Sequence, residues 1–200
     1  EEIEKSGRRL PAVPTREEMR LLLRTSKKKH QRDYVIIRLM YATGCRRSEL
    51  ENMRLAGLNF KEQRIFVRDG KGDKDRYVLV DNKTAEILDD FTYGLALSDP
   101  IFDIEDRQIN RRVQKWAEVA GLTERYEAQG RNFSSHCLRH AFATHLYEGG
   151  VDLYALRNLL GHRFLTTTKL YVHIGVGKIL ANYETSHPLA LDGFESYDED

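Results

Sequence analysis

The sequence contains no long hydrophobic run and very few cysteines. No apolar stretch approaches the roughly 18 residues that a membrane-spanning helix needs, and the polar start lacks the apolar core of a secretory signal. The two cysteines, Cys45 and Cys137, have no C-x-x-C partner and are too few for a disulfide framework. We therefore expect a cytoplasmic chain with reduced thiols and no membrane association.

The chain also has almost no net charge, +1 over 200 residues, which at first argues against a polyanionic ligand. The charge is unevenly distributed, however. Residues 184–200 hold six carboxylates and no Lys or Arg, so that 25 of the 31 acids oppose all 32 bases in the rest of the chain, which stands at +7. A basic main part of the chain with an acidic tail is consistent with binding to nucleic acid. An ordinary charged surface with a solubilising tail is the alternative interpretation.

Helical periodicity occupies most of the chain, and no internal repeat is present. Thr15 and Glu18 form a capping-box pattern in front of the first helix, and Gly44 ends the second. Helices after the first are predicted at residues 31–42, from 48, at 83–91, at 106–120, from 134 or 135, from 152 and from 166–168.

Residues 64–80 change to the alternating pattern of strands. The segments 64–68 and 76–80 are rich in β-branched and aromatic residues and flank a charged turn that contains two glycines. This pattern predicts a β-hairpin. The predicted fold is therefore mainly α with one small antiparallel β-sheet.

Two segments carry basic residues in positions that suit phosphate. In Thr-Gly-Cys-Arg-Arg-Ser-Glu-Leu (43–50), Arg46 stands beside the start of a helix, where backbone N–H groups and a guanidinium can bind an anion together. Lys71 lies between two glycines at the hairpin tip, which lets its ammonium approach a phosphate closely. Taken alone, each segment is explained more simply by surface charge, with Glu49 as an ion-pair partner in the first.

A third segment is more informative. It reads His-Cys-Leu-Arg-His-Ala-Phe-Ala-Thr-His (136–145) and is followed by Leu-Gly-His (160–162) and Tyr171. His136 and Arg139 are three residues apart and therefore share one helix face. The segment thus brings an imidazole and a guanidinium together near a helix start.

Four histidines within 27 residues raise the alternative of a metal site. The H-E-x-x-H pattern is absent, because no Glu lies between His136 and His140. We favour a buried structural role for His140 and His145, with hydrogen bonds to backbone carbonyls, and expect no metal.

In this order and spacing the motifs resemble the tyrosine recombinase or phage integrase family, which includes phage integrases, Cre-type enzymes and Xer chromosome-dimer resolvases. The resemblance rests on G-x-R-x-S-E-L, G-K-G-x-K-x-R, H-x-L-R-H-x-F-A-T-H and L-G-H, with a tyrosine nine residues further on. It covers residues 14–181. It implies the catalytic-domain fold of DNA breaking–rejoining enzymes and an enzyme that performs site-specific recombination of double-stranded DNA.

The resemblance implies a role for each matching residue. Tyr171 would be the nucleophile, forming a covalent 3′-phosphotyrosine and releasing a 5′-hydroxyl, and Lys71 would protonate the leaving oxygen. No metal, ATP or other cofactor is expected. We also expect DNA contacts from Arg47, Lys74 and Arg76.

The remaining matches concern the phosphate itself. The resemblance implies that Arg46 and Arg139 clamp its non-bridging oxygens and that His162 donates a hydrogen bond to it. His136 would act as a general acid or base around the tyrosine. Glu49 would orient Arg46.

The resemblance also divides the chain. Residues 1–13 are interpreted as a linker from a missing N-terminal core-binding domain, 14–181 as the catalytic domain and 182–200 as a disordered acidic tail. A segment that includes Tyr183 would dock into a neighbouring subunit. We expect a homotetramer on paired DNA sites, a monomer or weak oligomer alone, and association with the nucleoid. A type IB topoisomerase and a non-catalytic DNA-binding relative remain the alternatives.

Overall fold

The computed structural model of the protein describes residues 13–68, 75–161, 183, 185 and 187–190. Within these ranges the chain is mainly helical with one small antiparallel sheet, as predicted. The helices are α1 (Arg16–Lys29), α2 (Gln31–Thr43), α3 (Arg47–Glu51), α4 (Asn82–Thr92), α5 (Asp106–Val119), α6 (Thr123–Glu127), α7 (Ser135–Glu148) and α8 (Leu153–Leu160). The strands are β1 (Leu58–Asn59), β2 (Arg64–Val67) and β3 (Arg76–Leu79), and short 3-10 helices lie at Leu55–Gly57 and Pro188–Ala190.

Helix α2 lies at the centre of the fold. Its residues from 33 to 43 are all buried, because α1, α4, α5 and α7 pack around it. A helix covered on all sides needs apolar residues on all sides, and the run Val35–Ile37 supplies part of that surface. The basic residue inside this run of buried residues, Arg38, is paired with Asp81 at the start of α4. These contacts fix the position of α2 and therefore of the segment that follows it.

Gly44 ends α2 in a left-handed conformation with φ of 63°. Its N–H donates to the Met40 carbonyl at 2.9 Å, and a Cβ at this position would overlap the ring of Phe142 on α7. Both the backbone conformation and the lack of space therefore require glycine. The tight turn brings Arg46 to the start of α3.

The strands pair in the order β1-β2-β3. Ile65 lies opposite Val78, and Val67 lies opposite Arg76. Ile65, Val67 and Val78 are buried, and because side chains alternate along a strand, Arg76 shares the face of Val78. A charged residue is thus brought into the interior at the start of β3.

The described residues near the carboxyl end belong to the globular body. Tyr183, His187 and Leu189 are buried, and the Tyr183 hydroxyl donates to the Ala42 carbonyl at the end of α2. The expectation of a disordered tail from residue 182 is therefore wrong for these residues. Tyr183 docks onto its own chain, whereas the sequence suggested a neighbouring subunit.

Other differences are local. The two-residue strand β1 and the five-residue helix α6 were not predicted, because such short elements carry almost no periodicity. The helix predicted from residues 166–168 lies outside the described residues. Across the described ranges, no helix combines the length and hydrophobicity that a membrane crossing requires.

Candidate active site

Arg46 caps the short helix α3 and is held there by Glu49. Its backbone N–H donates to Glu49 Oε2 at 2.7 Å, and its Nη1 donates to Glu49 Oε1 at 3.1 Å. The Arg46 side chain remains 33% exposed, whereas Glu49 is buried. One buried carboxylate therefore orients both the main chain and the guanidinium of Arg46, while part of that guanidinium reaches solvent.

Glu49 has a second arginine partner, Arg76, which binds it bidentately. Arg76 Nη1 and Nη2 donate to the two carboxylate oxygens at 2.8 and 3.0 Å, a strong charge-assisted geometry. Burial alone would raise the pKa of Glu49, but the hydrogen bonds and charge of Arg76, followed by those of Arg46, outweigh it and lower that pKa. Glu49 is therefore ionised at neutral pH.

The position of Arg76 corrects the expectation of a DNA contact. Arg76 is only 9% exposed, and its Nε donates to the Leu159 carbonyl at 3.3 Å. Its guanidinium is directed into the protein rather than toward a DNA backbone. The sequence already indicated this inward orientation, because strand alternation puts Arg76 on the same face as the apolar Val78.

Arg139 on α7 is fixed by the ends of two other helices. Its Nη1 donates to the Gly44 carbonyl at 2.5 Å, and its Nη2 donates to the Leu160 carbonyl at 2.6 Å. Burial, followed by the positive charge of Arg46, lowers the pKa of Arg139 to about 10. The guanidinium stays charged at neutral pH and lies close enough to Arg46 for the two charges to interact.

His136 lies in the first turn of the same helix and is exposed. Its partial burial, followed by the charges of Arg47, Arg139 and Arg46, lowers its pKa below the usual value. The positive charges of three guanidiniums therefore act on this imidazole. They favour its neutral form, which can accept a proton.

The other two histidines of this segment differ from each other. His145 is buried, with Nδ1 2.7 Å from the Tyr41 hydroxyl and a hydrogen bond to the Pro14 backbone. His140 is exposed, so the expectation that it is buried is wrong. Partial burial, followed by the charges of His136 and Arg139, lowers its pKa. His140 is four residues after His136 on α7, so these two histidines share a helix face.

Arg47 lies at the edge of this cluster, where its Nε is 3.3 Å from an Asp106 carboxylate oxygen. Its contact with DNA remains a prediction. Of the residues that the structure describes, no group of three or more His, Cys, Asp and Glu side chains is arranged to hold a metal ion. Four predicted site residues lie outside the described residues: Lys71, Lys74, His162 and Tyr171.

The arrangement suits a tetrahedral anion. Guanidiniums from two different segments lie close together, Arg46 held by the Glu49 carboxylate and Arg139 by two backbone carbonyls. The imidazole of His136 shares a helix face with Arg139. Arg46, Arg76 and Arg139 all interact with Glu49, so several guanidiniums share this carboxylate. Planar guanidiniums with fixed N–H directions match the oxygens of a phosphate.

Comparison with known proteins identifies the family of the chain. Residues 13–176 match the Phage integrase family. The tyrosine recombinase XerC of Thermodesulfovibrio yellowstonii is 38% identical over 81% of this chain, which spans only 56% of that relative. The crystal structure of XerA recombinase has a TM-score of 0.69 and 26% identity, covering 88% of this chain and 65% of that one. The post-cleavage complex of XerH with a palindromic difH substrate has a TM-score of 0.66 and 26% identity, covering 86% and 52%. The chain therefore belongs to the phage integrase family.

Proposed function

We propose that this protein is a site-specific DNA recombinase that cleaves and rejoins double-stranded DNA through a covalent 3′-phosphotyrosine. The observation that carries the proposal is the convergence of two oriented guanidiniums with an imidazole beside one of them. Arg46 is held by Glu49, and Arg139 donates to the carbonyl of Gly44, two residues before Arg46. His136 lies three residues before Arg139 on α7, and therefore on the same helix face. Relatives that bear recombinase names, one of them bound to its DNA substrate, add support. The chain spans 56% and 52% of the lengths of these two relatives.

In the proposed reaction, the phenolic oxygen of Tyr171 attacks the scissile phosphorus. A bond forms between phosphorus and this oxygen, and the bond from phosphorus to the 5′ oxygen breaks. Lys71 donates a proton to the departing 5′ oxygen, while the neutral imidazole of His136 accepts the phenolic proton. Arg46 and Arg139 bind the non-bridging oxygens.

Fixed cationic donors are what this reaction needs most. Negative charge develops on the equatorial oxygens as phosphorus becomes pentavalent, and donors that are already oriented stabilise it without reorganisation. Glu49 holds Arg46, the Gly44 and Leu160 carbonyls hold Arg139, and His162 adds a hydrogen bond. The tyrosyl ester keeps the energy of the broken bond, so a 5′-hydroxyl reseals the strand without ATP.

The proposal extends to the assembly on DNA. Two sites must be paired for strand exchange, which implies a homotetramer on DNA and a monomer or weak oligomer alone. Lys74 and Arg47 contribute phosphate contacts, which add affinity without reading sequence. An enzyme of this kind acts in the compartment that holds the nucleoid.

Nicked suicide substrates test the proposal. Wild-type protein should become covalently attached to DNA on denaturing electrophoresis, and Tyr171→Phe should lose the adduct while keeping DNA affinity. Tyr147→Phe is the matched control, because Tyr147 is 59% exposed on α7, and it should react normally. An adduct that persists in Tyr171→Phe would disprove the proposed nucleophile. Relaxation of plasmids that lack any specific site would instead indicate a topoisomerase.

A further inference from the structure

Arg76 joins three elements of the fold through one guanidinium. Its two Nη atoms bind the Glu49 carboxylate at 2.8 and 3.0 Å, and its Nε donates to the Leu159 carbonyl at 3.3 Å. Arg76 starts β3, Glu49 belongs to α3, and Leu159 lies in the last turn of α8. Strand β3 and helices α3 and α8 therefore meet at a single buried side chain.

The end of α8 is bound by two arginines. Arg76 donates to the Leu159 carbonyl, and Arg139 donates to the next carbonyl, that of Leu160, at 2.6 Å. The last carbonyls of a helix have no partner within the helix, and positive charge is favourable at that end. The carboxyl end of α8 is thus held against the same arginines that surround Glu49.

Gly161 shows how closely this joint is packed. It ends α8 with φ of +67°, and a Cβ there would lie 2.9 Å from Cζ, Nε and Nη1 of Arg76. The guanidinium therefore lies directly against the backbone of Gly161. His162, which the proposed function assigns to the phosphate, is the next residue in the sequence.

Glu49 transmits the position of Arg76 to Arg46. The carboxylate that Arg76 binds on both oxygens also accepts from the backbone N–H and the Nη1 of Arg46. A shift of Arg76 would move the carboxylate, and the carboxylate would move Arg46. Glu49 therefore links the two guanidiniums directly.

We propose that Arg76 is a positioning residue for the phosphate site, acting on Arg46 through Glu49 and on the end of α8 through the Leu159 carbonyl. This inference rests on the proposed function. It depends on geometry rather than on charge, because a lysine keeps the charge but cannot bind two carboxylate oxygens and a carbonyl with one rigid fork. Displacement of groups around a reacting centre by about 1 Å can slow a reaction by about 100-fold.

The experiment compares Arg76→Lys with Arg64→Lys. Arg64 lies on the neighbouring strand, stacked 4.5 Å from the Tyr77 ring centroid and paired with Glu62, so it is a matched arginine outside the site. Single-turnover formation of the covalent adduct is measured at saturating nicked DNA, together with DNA affinity and thermal unfolding. We expect Arg76→Lys to be about 100-fold slower with unchanged DNA affinity, and Arg64→Lys to match the wild type.

A second variant keeps the test decisive if Arg76→Lys does not fold. Gly161→Ala presses a methyl group on the Arg76 guanidinium, and Gly121→Ala is its control, since Gly121 has φ of +69° with nothing within 4 Å of an added Cβ. Both variants carry similar backbone strain, but only Gly161→Ala should slow adduct formation.

The outcomes separate the possible explanations. A wild-type rate in Arg76→Lys would overturn the inference, and so would a normal rate at saturating DNA with weakened affinity, which is the behaviour of a DNA contact. Equal rates for Gly161→Ala and Gly121→Ala would also overturn it. Absence of any adduct with the wild type would overturn the proposed function, and the inference with it.

Discussion

Among the described residues, two buried arginine–carboxylate pairs differ in how many arginines the carboxylate binds. In the first, Arg38 on α2 donates to Asp81 at 3.2 Å, to Thr84 at 2.8 Å and to Tyr34 at 3.2 Å. Both charged side chains are 2% exposed. Asp81 also caps α4 by accepting from the Thr84 backbone N–H. One arginine meets one carboxylate, and the pair ties α2 to α4.

The second pair, Arg76 with Glu49, is part of a larger and unbalanced cluster. Glu49 also binds Arg46, and the charge of Arg139 is close enough to interact with it. Arg46 is 33% exposed, so this cluster reaches solvent where the first does not. The comparison teaches that in a closed pair each buried charge depends on its partner, whereas oriented positive charge that reaches the surface is suited to an incoming anion.

The largest effect on stability is expected when the arginine of the balanced pair is removed. Arg38→Met leaves the Asp81 carboxylate buried without its cation, which should lower the free energy of unfolding by about 3–5 kcal/mol. Urea denaturation followed by circular dichroism measures this change. Adduct formation by the folded fraction should stay normal, and a loss below about 1 kcal/mol would show that the pair is not structural.

Removing an arginine from the unbalanced cluster should slow cleavage strongly and change stability little. Arg46→Ala removes one oriented donor and should raise the barrier to cleavage by about 2.7–4 kcal/mol. Stability should change by less than about 1 kcal/mol, because a partly exposed ion pair contributes little. Single-turnover kinetics and thermal melting measure the two quantities. Lower stability at an unchanged cleavage rate would make Arg46 another structural arginine.

His187 differs from both ion pairs, because it is an ionisable group that is buried in its neutral form. Its Nδ1 accepts from the Leu189 N–H, which leaves Nε2–H to donate to the Tyr41 carbonyl. Burial lowers the pKa of His187 to about 3. The unfolded chain binds a proton there near pH 6.5 and the folded chain does not, so stability falls as pH falls between these values.

The expected loss attributable to His187 is about 2 kcal/mol between pH 7 and pH 5. Glutamine cannot titrate. Between pH 7 and pH 5 the unfolding free energy of His187→Gln should therefore decrease by about 2 kcal/mol less than that of the wild type. Denaturant melts of both proteins at the two pH values measure it. Parallel pH dependence in the two proteins would mean that His187 is protonated in the folded state or is accessible to solvent.

The smallest effect on stability is expected at the edge of the cluster. Arg47 pairs with Asp106 near the surface, so Arg47→Ala should cost less than about 1 kcal/mol. If Arg47 binds a DNA phosphate, the slope of log affinity against log salt should decrease by about 1. Lys83→Ala is the control, because Lys83 forms an exposed pair with Glu86 on α4. Equal slopes in the two variants would remove Arg47 from the DNA contacts.

Local signals in the sequence predicted much of the fold and part of the site. The capping box at Thr15, the helix end at Gly44 and the β-hairpin all depend on neighbouring residues, and each is present. The three-residue spacing of His136 and Arg139 placed both on α7. The motif pattern singled out Arg46 and Glu49, which are in contact.

The misses have specific causes. Arg76 was expected to contact DNA together with Arg47 and Lys74, although its alternation with Val78 indicated an inward side chain. His140 was predicted to be buried, but it is exposed and shares a helix face with His136. Tyr183 was expected to dock into a neighbouring subunit because the family resemblance implied it. Its actual partner at the end of α2 is 141 residues away, which no local pattern reveals.

The sequence by itself determined what adjacent residues decide: where helices start and end, which side chains share a face, and which residue types a phosphate would need. Only the tertiary structure decided which carboxylate neutralises which arginine. Glu49 and Arg76 are 27 residues apart, and Arg139 is 95 residues from the Gly44 carbonyl that it binds. The physical reason is that burial and pairing set the state of a charge. Both depend on contacts that form only when distant segments pack together.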